Sequence, residues 1–468
     1  MQRLPLRPKI GLLGLTLELY ETLAPDVRQQ REKWVRGHVL PALEKSADVL
    51  FDGAVFSREG IEASLSRFEA AGADAVLVLL LTYSPSQLAL FPLKSQQLPI
   101  VIWNTQELFA VDEHFSMEAL FANHGVHGTQ DLANVMVRSG VKFHYVTSHL
   151  HDADALDELA DFFAAAAALH RLRSARFGLL GYPFPGMGDF AVDTTRLVGS
   201  LGCSWAVLTV EDYIKRAEFD GEVEVSDLVA EYRRLYEVAG DVTKADLAAT
   251  ARAELALRGM IAGQRLDGLT YQFLAFGDDE RSPTLPFVAV SRLMAEGIGF
   301  GGEGDLVAAA ATTLFNWLQP PASFTEIFTT DFGGNSVFMS HMGEANVAMA
   351  RRDRRTPLVV RPTPITRTRE RQMCLVTSFE PGPATLMALA QGPNGWRLIA
   401  TTGTIERFGP LASMYVPHFK LCLSGDVRQF LSDYAQAGGP HHNAVCFGDA
   451  RRRLRLLAQL MGAEYYEI

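Results

Sequence analysis

The segment Ala75-Val-Leu-Val-Leu-Leu-Leu81 is an unbroken apolar run with no polar position. A strand with one solvated face alternates apolar and polar residues, whereas a strand covered on both faces is apolar throughout. Similar apolar-rich runs lie at Ile10–Leu15, Ile100–Trp103 and Phe143–Thr147. The first part of the chain is therefore expected to contain a sheet buried on both faces. The run is also too short to cross a bilayer.

Amphipathic stretches separate these runs. Apolar residues recur at helical spacing in Val27–Ser46, Glu62–Ala71 and Asp131–Ser139. Alternation of buried strands with helices is typical of a parallel sheet covered by helices. The alanine-rich stretch Asp152–Arg173 is a strong helix former and is expected to lead out of this domain. These features predict an N-terminal α/β domain over residues 1–170.

The same alternation resumes at Arg176-Phe-Gly-Leu-Leu-Gly181. Strands are expected at Ala206–Val210 and Gly268–Phe273, with helices at Val225–Ala239 and Lys244–Gln264. This pattern predicts a central α/β domain over residues 171–320, so that the chain has two Rossmann-like domains with parallel sheets.

The sequence pattern changes after Pro320-Pro321. Short strands separated by Pro and Gly turns are predicted at Leu358–Arg361, Cys374–Ser378, Ala384–Ala390 and Trp396–Thr402. Helices are expected at Val427–Ala437 and Asp449–Met461. Residues 321–468 are therefore expected to form an antiparallel, β-barrel-like C-terminal domain with terminal helices, which gives an α/β protein of three domains.

Composition narrows the class of protein. The 468 residues are 48% hydrophobic and 21% charged, as in ordinary globular proteins. The net charge of −11 argues against a nucleic-acid backbone or an anionic membrane as the main partner. The four cysteines show no CxxC spacing, which favours buried free thiols. The basic start lacks a cleavage site, so we expect a cytoplasmic protein.

Acidic and imidazole side chains are spread through the C-terminal half. Glu303 lies in Gly-Gly-Glu-Gly-Asp, Glu326 in Ser-Phe-Thr-Glu and His341 in Ser-His-Met, and the pair His441-His442 follows near the end. Two carboxylates and two imidazoles can hold one divalent cation and leave positions open for a substrate. Such a set without thiolates favours Mn²⁺, Mg²⁺ or Co²⁺ over structural zinc.

The glycine-rich stretch Gly297–Asp305 formally contains the GxGxxG pattern of dinucleotide loops. A helical pattern rather than a strand precedes it, and Glu303 and Asp305 would repel a pyrophosphate. Two interpretations remain, a turn that presents Glu303 into a cleft and a plain glycine-rich connection between helices with a solvated Glu303.

The sequence of this chain resembles those of L-arabinose isomerases. The resemblance rests on Arg292–Asp305, Ser323–Glu326 and Ser340-His-Met342, and on the late element Gly438-Gly-Pro-His-His442. In the N-terminal part, Thr82-Tyr-Ser-Pro85, Thr105-Gln106 and His127-Gly128 follow in family order. The likeness is patchy but runs through almost the whole chain.

The resemblance implies an Mn²⁺-dependent aldose–ketose isomerase, with Co²⁺ or Mg²⁺ as alternatives. Its motifs assign Glu303, Glu326, His341 and His442 as metal ligands and leave His441 a hydrogen-bonding role, because adjacent side chains rarely point at one ion. The family also implies homotrimers or homohexamers in which His127 of one chain contacts the sugar in a neighbour's site. Without the resemblance, His124 in the preceding segment Asn123–Gly128 is interpreted as a surface or capping residue.

Moving a carbonyl between C1 and C2 of a sugar requires a proton to leave one carbon and arrive at the next through an ene-diol. Two carboxylates beside a cation can trade that proton, so Glu303 and Glu326 are the candidate catalytic residues. A metal-promoted hydride shift needs the same residues, and both routes remain open.

The segment Gly181–Asp189 is rich in turn formers and aromatic residues. Met187 in this segment is either a candidate substrate contact, on a rigid rim over the sugar, or part of a structural turn.

One departure concerns the loop after the first strand. The family carries a Gly-Ser-Gln-His-Leu-Tyr-like segment where this chain has Leu15-Thr-Leu-Glu-Leu-Tyr20. Leu17 and Glu18 therefore replace Gln and His, and Tyr20 remains. Since buried polar groups discriminate strongly between hydroxyls, we expect these three residues to bind substrate with an altered sugar preference. The alternatives are a non-catalytic sugar-binding or regulatory relative and a metal-dependent sugar epimerase.

Overall fold

A computed structural model describes residues 6–218, 221–277, 279–361 and 371–468. The chain divides into two compact units, Leu6–His170 (the N-terminal unit) and Arg171–Ile468 (the C-terminal unit).

The N-terminal unit is built from short strands and longer helices. Its strands are β1 (Lys9–Leu15), β2 (Asp48–Leu50), β3 (Ala54–Val55), β4 (Ala75–Leu80), β5 (Ile100–Asn104) and β6 (His144–Thr147). Its helices are α1 (Tyr20–Leu23), α2 (Val27–Trp34), α3 (Leu40–Leu43), α4 (Arg58–Ala70), α5 (Ser86–Ser95), α6 (Met117–Asn123), α7 (Gly125–Arg138) and α8 (Ala153–Leu172), with a π-helical turn at Val35–Val39.

These strands form one parallel sheet in the order β2-β1-β4-β5-β6, with β3 also beside β1. Every residue of β4 is buried, and Ile10 of β1 pairs with Ala75 of β4. The continuous apolar runs of the sequence therefore became the central strands, because helices cover both faces. The predicted parallel α/β arrangement of this part is confirmed.

The C-terminal unit opens with a second parallel sheet. The strands of this part are β7 (Arg176–Leu180), β8 (Ser204–Leu208), β9 (Glu237–Val238), β10 (Gly268–Tyr271) and β11 (Gly299–Gly301). The helices are α9 (Thr194–Leu201), α10 (Val210–Ala217), α11 (Glu222–Leu235), α12 (Lys244–Gln264), α13 (Phe287–Ala295) and α14 (Leu306–Leu318). The sheet order is β11-β10-β7-β8, with parallel pairing throughout.

The interpretation of the glycine run as a plain helix connection is wrong, because Gly299–Gly301 forms strand β11 between α13 and α14. A Cβ atom on Gly299 or Gly301 would overlap atoms of the α14 segment. Glycine therefore lets that helix lie directly against the strand. The helix predicted to end at Ala239 is also too long, since α11 ends at Leu235 and β9 follows.

The remainder of the C-terminal unit is mostly β. Its strands are β12 (Ala322–Asp331), β13 (Ser336–Ser340), β14 (Pro357–Arg361), β15 (Gln372–Leu375), β16 (Gly382–Gln391), β17 (Trp396–Ile405), β18 (His418–Leu423), β19 (His442–Phe447) and β20 (Glu464–Glu467), and its helices are α15 (Val427–Gln436) and α16 (Arg451–Met461). Antiparallel pairing in the order β16-β19-β12-β13-β18-β17, closed by β16 against β17, forms the predicted barrel.

Two strands predicted for this barrel lie outside it. Strands β14 and β15 form a small sheet with β9, which comes from the central part of the sequence. Residues on both sides of position 320 therefore share one sheet within one compact unit. The division at residues 170 and 320 stays a proposal about domains.

Two further expectations concern the cysteines and membrane-spanning helices. Cys203, Cys374 and Cys446 are buried free thiols, as predicted, while Cys422 is only partly buried. Among the described residues, no helix combines the length and apolar character that a membrane span requires.

Candidate metal centre

Four side chains in the C-terminal unit bring their potential ligand atoms together. Glu303, Glu326, His441 and His442 each offer one atom, and these atoms lie within 4.8 Å of one another. Glu326 lies on β12 directly opposite His442 on β19, so the antiparallel register makes them neighbours. Glu303 reaches the same point from the turn between β11 and α14. Three of the four predicted ligands therefore meet here.

Glu303 has an unusual backbone conformation. Its φ angle is 59°, in the left-handed region that side-chain-bearing residues rarely adopt. Gly302 precedes it, and a Cβ there would lie 3.0 Å from Nε2 of His341. Gly304 follows with φ 89°, and a Cβ there would overlap the backbone of Pro183. Close packing on both sides thus holds Glu303 in a conformation that costs about 1–2 kcal/mol.

The imidazoles face the two carboxylates. Nε2 of His442 lies 3.1 Å from Oε1 of Glu326 and 3.7 Å from Oε2 of Glu303. Nε2 of His441 lies 3.8 Å from the same oxygen of Glu303. Nε2 of His442 is buried without a hydrogen-bond partner among the described residues, so its approach to Glu326 is an ion-pair contact. A buried nitrogen aimed at two carboxylates fits a shared cation.

Asp305 fixes the orientation of His442. Its Oδ2 lies 2.8 Å from Nδ1 of His442, and its Oδ1 accepts hydrogen bonds from the backbone N–H groups of Val307 and Ala308. The contact between Asp305 and Nδ1 directs Nε2 of His442 towards Glu303 and Glu326. Carboxylates behind metal-binding histidines orient the imidazole in this way. The hydrogen bonds from Val307 and Ala308 to Asp305 cap α14. They occupy N–H groups that a phosphate would need, which argues against a dinucleotide loop.

His341, the fourth predicted ligand, lies beside this group rather than in it. It follows Ser340, which pairs with Glu326 from the opposite side of β12. Its Nε2 is 3.4 Å from Oε1 of Glu326, and its Nδ1 is 2.6 Å from Oε2 of buried Glu344. Tyr271 donates a hydrogen bond to the other oxygen of Glu344. A buried chain of groups thus directs His341 at Glu326.

The charges in the site depend on one another. Burial tends to raise the pKa of Glu326, but the imidazoles of His341 and His442 outweigh it and hold that pKa below its usual range. Burial tends to lower the pKa of His442, but the carboxylates of Asp305 and Glu326 raise it to about 10. Ion pairs of Glu303 and Glu326 among the described residues involve only imidazoles. Protonated imidazoles therefore balance carboxylates that a cation would otherwise hold.

The donor set matches a hard or borderline divalent ion. Carboxylate oxygens and imidazole nitrogens converge, and no cysteine is among the grouped residues. Mn²⁺, Co²⁺ and Mg²⁺ accept such ligands, whereas a structural zinc site is usually closed by thiolates.

The N-terminal unit carries the predicted substrate-binding residues at the carboxyl edge of its sheet. Leu17 and Glu18 lie just after β1, and the Tyr20 hydroxyl is 2.7 Å from Nε2 of His124. His127 stacks on Tyr83 with ring centroids 4.7 Å apart. The carboxyl edge of a parallel sheet is the usual place for a ligand.

Unpartnered polar atoms mark the same edge. Oγ1 of Thr16, Oγ of Ser84, Oγ1 of Thr105 and Nδ1 of His124 are buried without hydrogen-bond partners among the described residues. The first three follow the ends of β1, β4 and β5, and His124 precedes α7. Groups of this kind are available to a polar ligand.

Met187 lies in the segment between β7 and α9, and its backbone N–H donates to the carbonyl of Phe184. Its side chain is half-buried. A contact between Met187 and substrate stays a prediction.

Comparison with known proteins assigns the family. Models of the N-terminal, central and C-terminal domains of L-arabinose isomerase match residues 20–174, 186–319 and 321–464. The chain belongs to the L-arabinose isomerase family. Family members include the L-arabinose isomerase of Acidothermus cellulolyticus, 28% identical over 85% of this chain and 81% of that protein. Those of Nocardioides sp. and Geobacillus kaustophilus are 27% and 26% identical, over 83% and 92% of this chain and 79% and 87% of theirs.

Several supporting residues of this family site were not predicted. Glu344 and Tyr271 stand behind His341, and Asp189 contacts His441 with Oδ2 2.6 Å from Nδ1. Glu344 lies three positions after His341 and two beyond the motif Ser340-His-Met342, so the adjoining sequence offered a signal for it. Asp189 is 252 residues from His441, and no local pattern connects them.

Proposed function

We propose that this chain is a divalent-cation-dependent aldose–ketose isomerase, with Mn²⁺ as the ion and Co²⁺ or Mg²⁺ as substitutes. The observation that carries the proposal is the convergence of Glu303, Glu326 and His442 at one buried point. When bound there, a divalent cation supplies Lewis-acid stabilisation of the negative charge that develops on the sugar oxygens.

Glu303 and Glu326 move the proton in the proposed reaction. The pKa of Glu326 is lowered by the imidazoles in the absence of an ion, and a bound cation would favour the charged form in their place, so Glu326 is ionised near neutrality and can accept a proton from the carbon beside the carbonyl. Glu303 lies at the same point and, in its protonated form, can give a proton to the neighbouring carbon, while the hydroxyl proton moves between the two sugar oxygens. The proton that Glu326 has taken then passes back to Glu303, so that both carboxyl groups regain their starting state. The two residues carry side chains that are 12% and 13% exposed, so solvent competes little for the proton. A hydride shift would use the same two carboxylates for orientation.

The proposed ligands are Glu303, Glu326, His341 and His442, as the family motifs imply. His442 at the start of β19 and His341 directly after β13 approach Glu326 from the two sides of β12, which supports their joint use. His441 also lies in ligand range, 3.8 Å from Glu303. Its position, however, is governed by Asp189, which favours a supporting role.

Two other functions are compatible with the family. A non-catalytic sugar-binding or regulatory relative has no need for two carboxylates at one buried point, which favours an enzyme. A metal-dependent sugar epimerase would use the same groups to move a proton at a single carbon. Product analysis separates the three, because only an isomerase converts an aldose to a ketose.

A panel of aldopentoses and aldohexoses tests the function and its specificity. With Mn²⁺ present we expect ketose formation, but with L-arabinose not the preferred sugar. The family's polar Gln-His pair is replaced by Leu17 and Glu18, and a sugar hydroxyl facing Leu17 would lose a partner at a cost of about 1–3 kcal/mol. That penalty corresponds to roughly tenfold to a hundredfold in kcat/KM.

The comparison includes D-galactose, L-fucose and deoxy or epimeric analogues, assayed in both directions where the ketose is available. A tenfold or larger preference for L-arabinose would show that Leu17 and Glu18 do not set specificity. Failure to form a ketose from any sugar, with the ion bound, would contradict the proposed function.

We also propose a homotrimer or homohexamer whose sites are completed by His127 of a neighbouring chain, on the ground of the family resemblance. Exposed apolar side chains on the N-terminal unit support association, with Phe109 82% and Met117 64% exposed. A cytoplasmic location stays a prediction from the sequence.

A further inference from the structure

The segment Gly181–Phe190, called the rim segment below, follows β7 and is rich in Pro, Gly and aromatic residues. It contacts the metal centre at several separate points. The backbone N–H of Phe184 donates to the carbonyl oxygen of Glu303 at 2.9 Å. Gly304, the residue after Glu303, lies so close to Tyr182 and Pro183 that a Cβ would be 2.5 Å from their backbone atoms. The start of the rim segment therefore holds the backbone that carries Glu303.

The end of the rim segment contacts His441. Oδ2 of Asp189 accepts from the backbone N–H of His441 at 3.1 Å and lies 2.6 Å from Nδ1 of the same residue. With Nδ1 held by this carboxylate, Nε2 is directed at Oε2 of Glu303, 3.8 Å away. A single carboxylate thus fixes both the backbone and the ring of His441.

Phe190 contacts the other imidazole. Its ring is parallel to that of His442 within 7°, with centroids 5.1 Å apart, and it is 3% exposed. Asp305 fixes the same imidazole through Nδ1, but one hydrogen bond leaves the ring free to tilt. A flat apolar ring against its face removes that freedom.

We propose that Asp189 is a positioning residue, which together with Phe190 clamps the His441-His442 pair and sets the affinity of the site for a divalent cation. The inference rests on the proposed function. In this proposal, the rim segment does not bind the ion. It holds the imidazoles and Glu303 in the arrangement that an ion requires, so that little ordering is left to occur on binding.

Asp189→Asn tests this inference, with Mn²⁺ titrated calorimetrically into the full-length, metal-free protein. Asparagine has the same size, but its neutral oxygen makes a weaker bond to His441, and its amide nitrogen permits the ring to reverse its tautomer. We expect the Kd for Mn²⁺ to rise about tenfold or more. The melting temperature of the metal-free protein is expected to stay unchanged because the Asp189 side chain is 36% exposed.

Asp193→Asn is the matched control. Asp193 lies four positions further on and caps α9 through the backbone N–H groups of Thr195 and Arg196, a role that asparagine also performs. This variant is expected to bind Mn²⁺ with the wild-type Kd. Phe190→Leu, which removes the stacked ring but keeps an apolar side chain, is expected to weaken binding by a smaller factor.

Kinetics at saturating Mn²⁺ separate positioning from direct chemistry. Asp189→Asn is expected to recover most of its kcat as Mn²⁺ is raised, since the ion still binds once its concentration exceeds the weaker Kd. Equal Kd values for wild type and Asp189→Asn, within about twofold, would overturn the clamp while leaving the metal site intact. Absence of Mn²⁺ binding by the wild type would overturn the proposed metal site and the clamp together.

Discussion

Glu326→Gln is expected to lower kcat by about 10²- to 10⁴-fold while leaving KM within a few fold. The amide oxygen of glutamine can still approach a cation, but it cannot accept a proton from the sugar. The pKa of Glu326 is lowered by His341 and His442 without the ion and would be lowered by a bound cation, and its side chain is 12% exposed, so no water replaces it readily as a base. Steady-state kinetics at saturating Mn²⁺ measure the effect.

Glu406→Gln provides the matched control for that substitution. Glu406 is a carboxylate of the same unit that pairs with Lys420 and lies outside the grouped residues. Its loss is expected to leave kcat unchanged. A wild-type kcat in Glu326→Gln would remove Glu326 from proton transfer and leave it the role of a ligand.

Glu303→Asn is expected to abolish high-affinity Mn²⁺ binding and to make the metal-free protein more stable. Glu303 has a φ angle of 59°, and asparagine tolerates this left-handed conformation better than glutamate. The substitution also removes one of the two carboxylates grouped at the site, and its contacts with the imidazoles, at 3.7 and 3.8 Å, are too long for hydrogen bonds, so little stabilisation is lost with them. We expect the free energy of unfolding of the metal-free protein to rise by about 1 kcal/mol.

Arg265→Asn separates the two effects. Arg265 has a φ angle of 53° at the exposed end of α12, away from the metal site residues. Its replacement is expected to stabilise the protein by a similar amount without changing the Kd for Mn²⁺. Denaturant unfolding with and without Mn²⁺ measures both quantities. A less stable metal-free Glu303→Asn would show that the backbone at Glu303 stores no strain.

The parts of the fold that the sequence predicted are those with one dominant physical pattern. Strands β1, β4 and β5 are continuous apolar runs because helices cover both of their faces. Barrel strands β12 and β19 were not predicted, although they carry the site. Glu326 and His442 lie on the face opposite to Ile327 and Val445, which pack in the barrel core, so the residues that give the strands a function interrupt the alternation that reveals a strand.

The candidate site was predicted from short motifs, which localise residues but not their relations in space. Glu303, Glu326 and His442 do meet, as their motifs implied. The sequence argument gave His441 a hydrogen-bonding role because adjacent side chains rarely point at one ion. The centroids of the two imidazole rings are 4.1 Å apart, with His442 at the start of β19 and His441 held before the strand by Asp189, which no short motif could reveal.

Anomalous scattering from crystals loaded with Mn²⁺, combined with elemental analysis in solution, tests the central claim most directly. We expect one ion per chain, bound by Glu303, Glu326, His341 and His442, and lost on chelation together with activity and part of the thermal stability. Absence of an ion among these side chains after Mn²⁺ loading would contradict the claim that they form a metal centre.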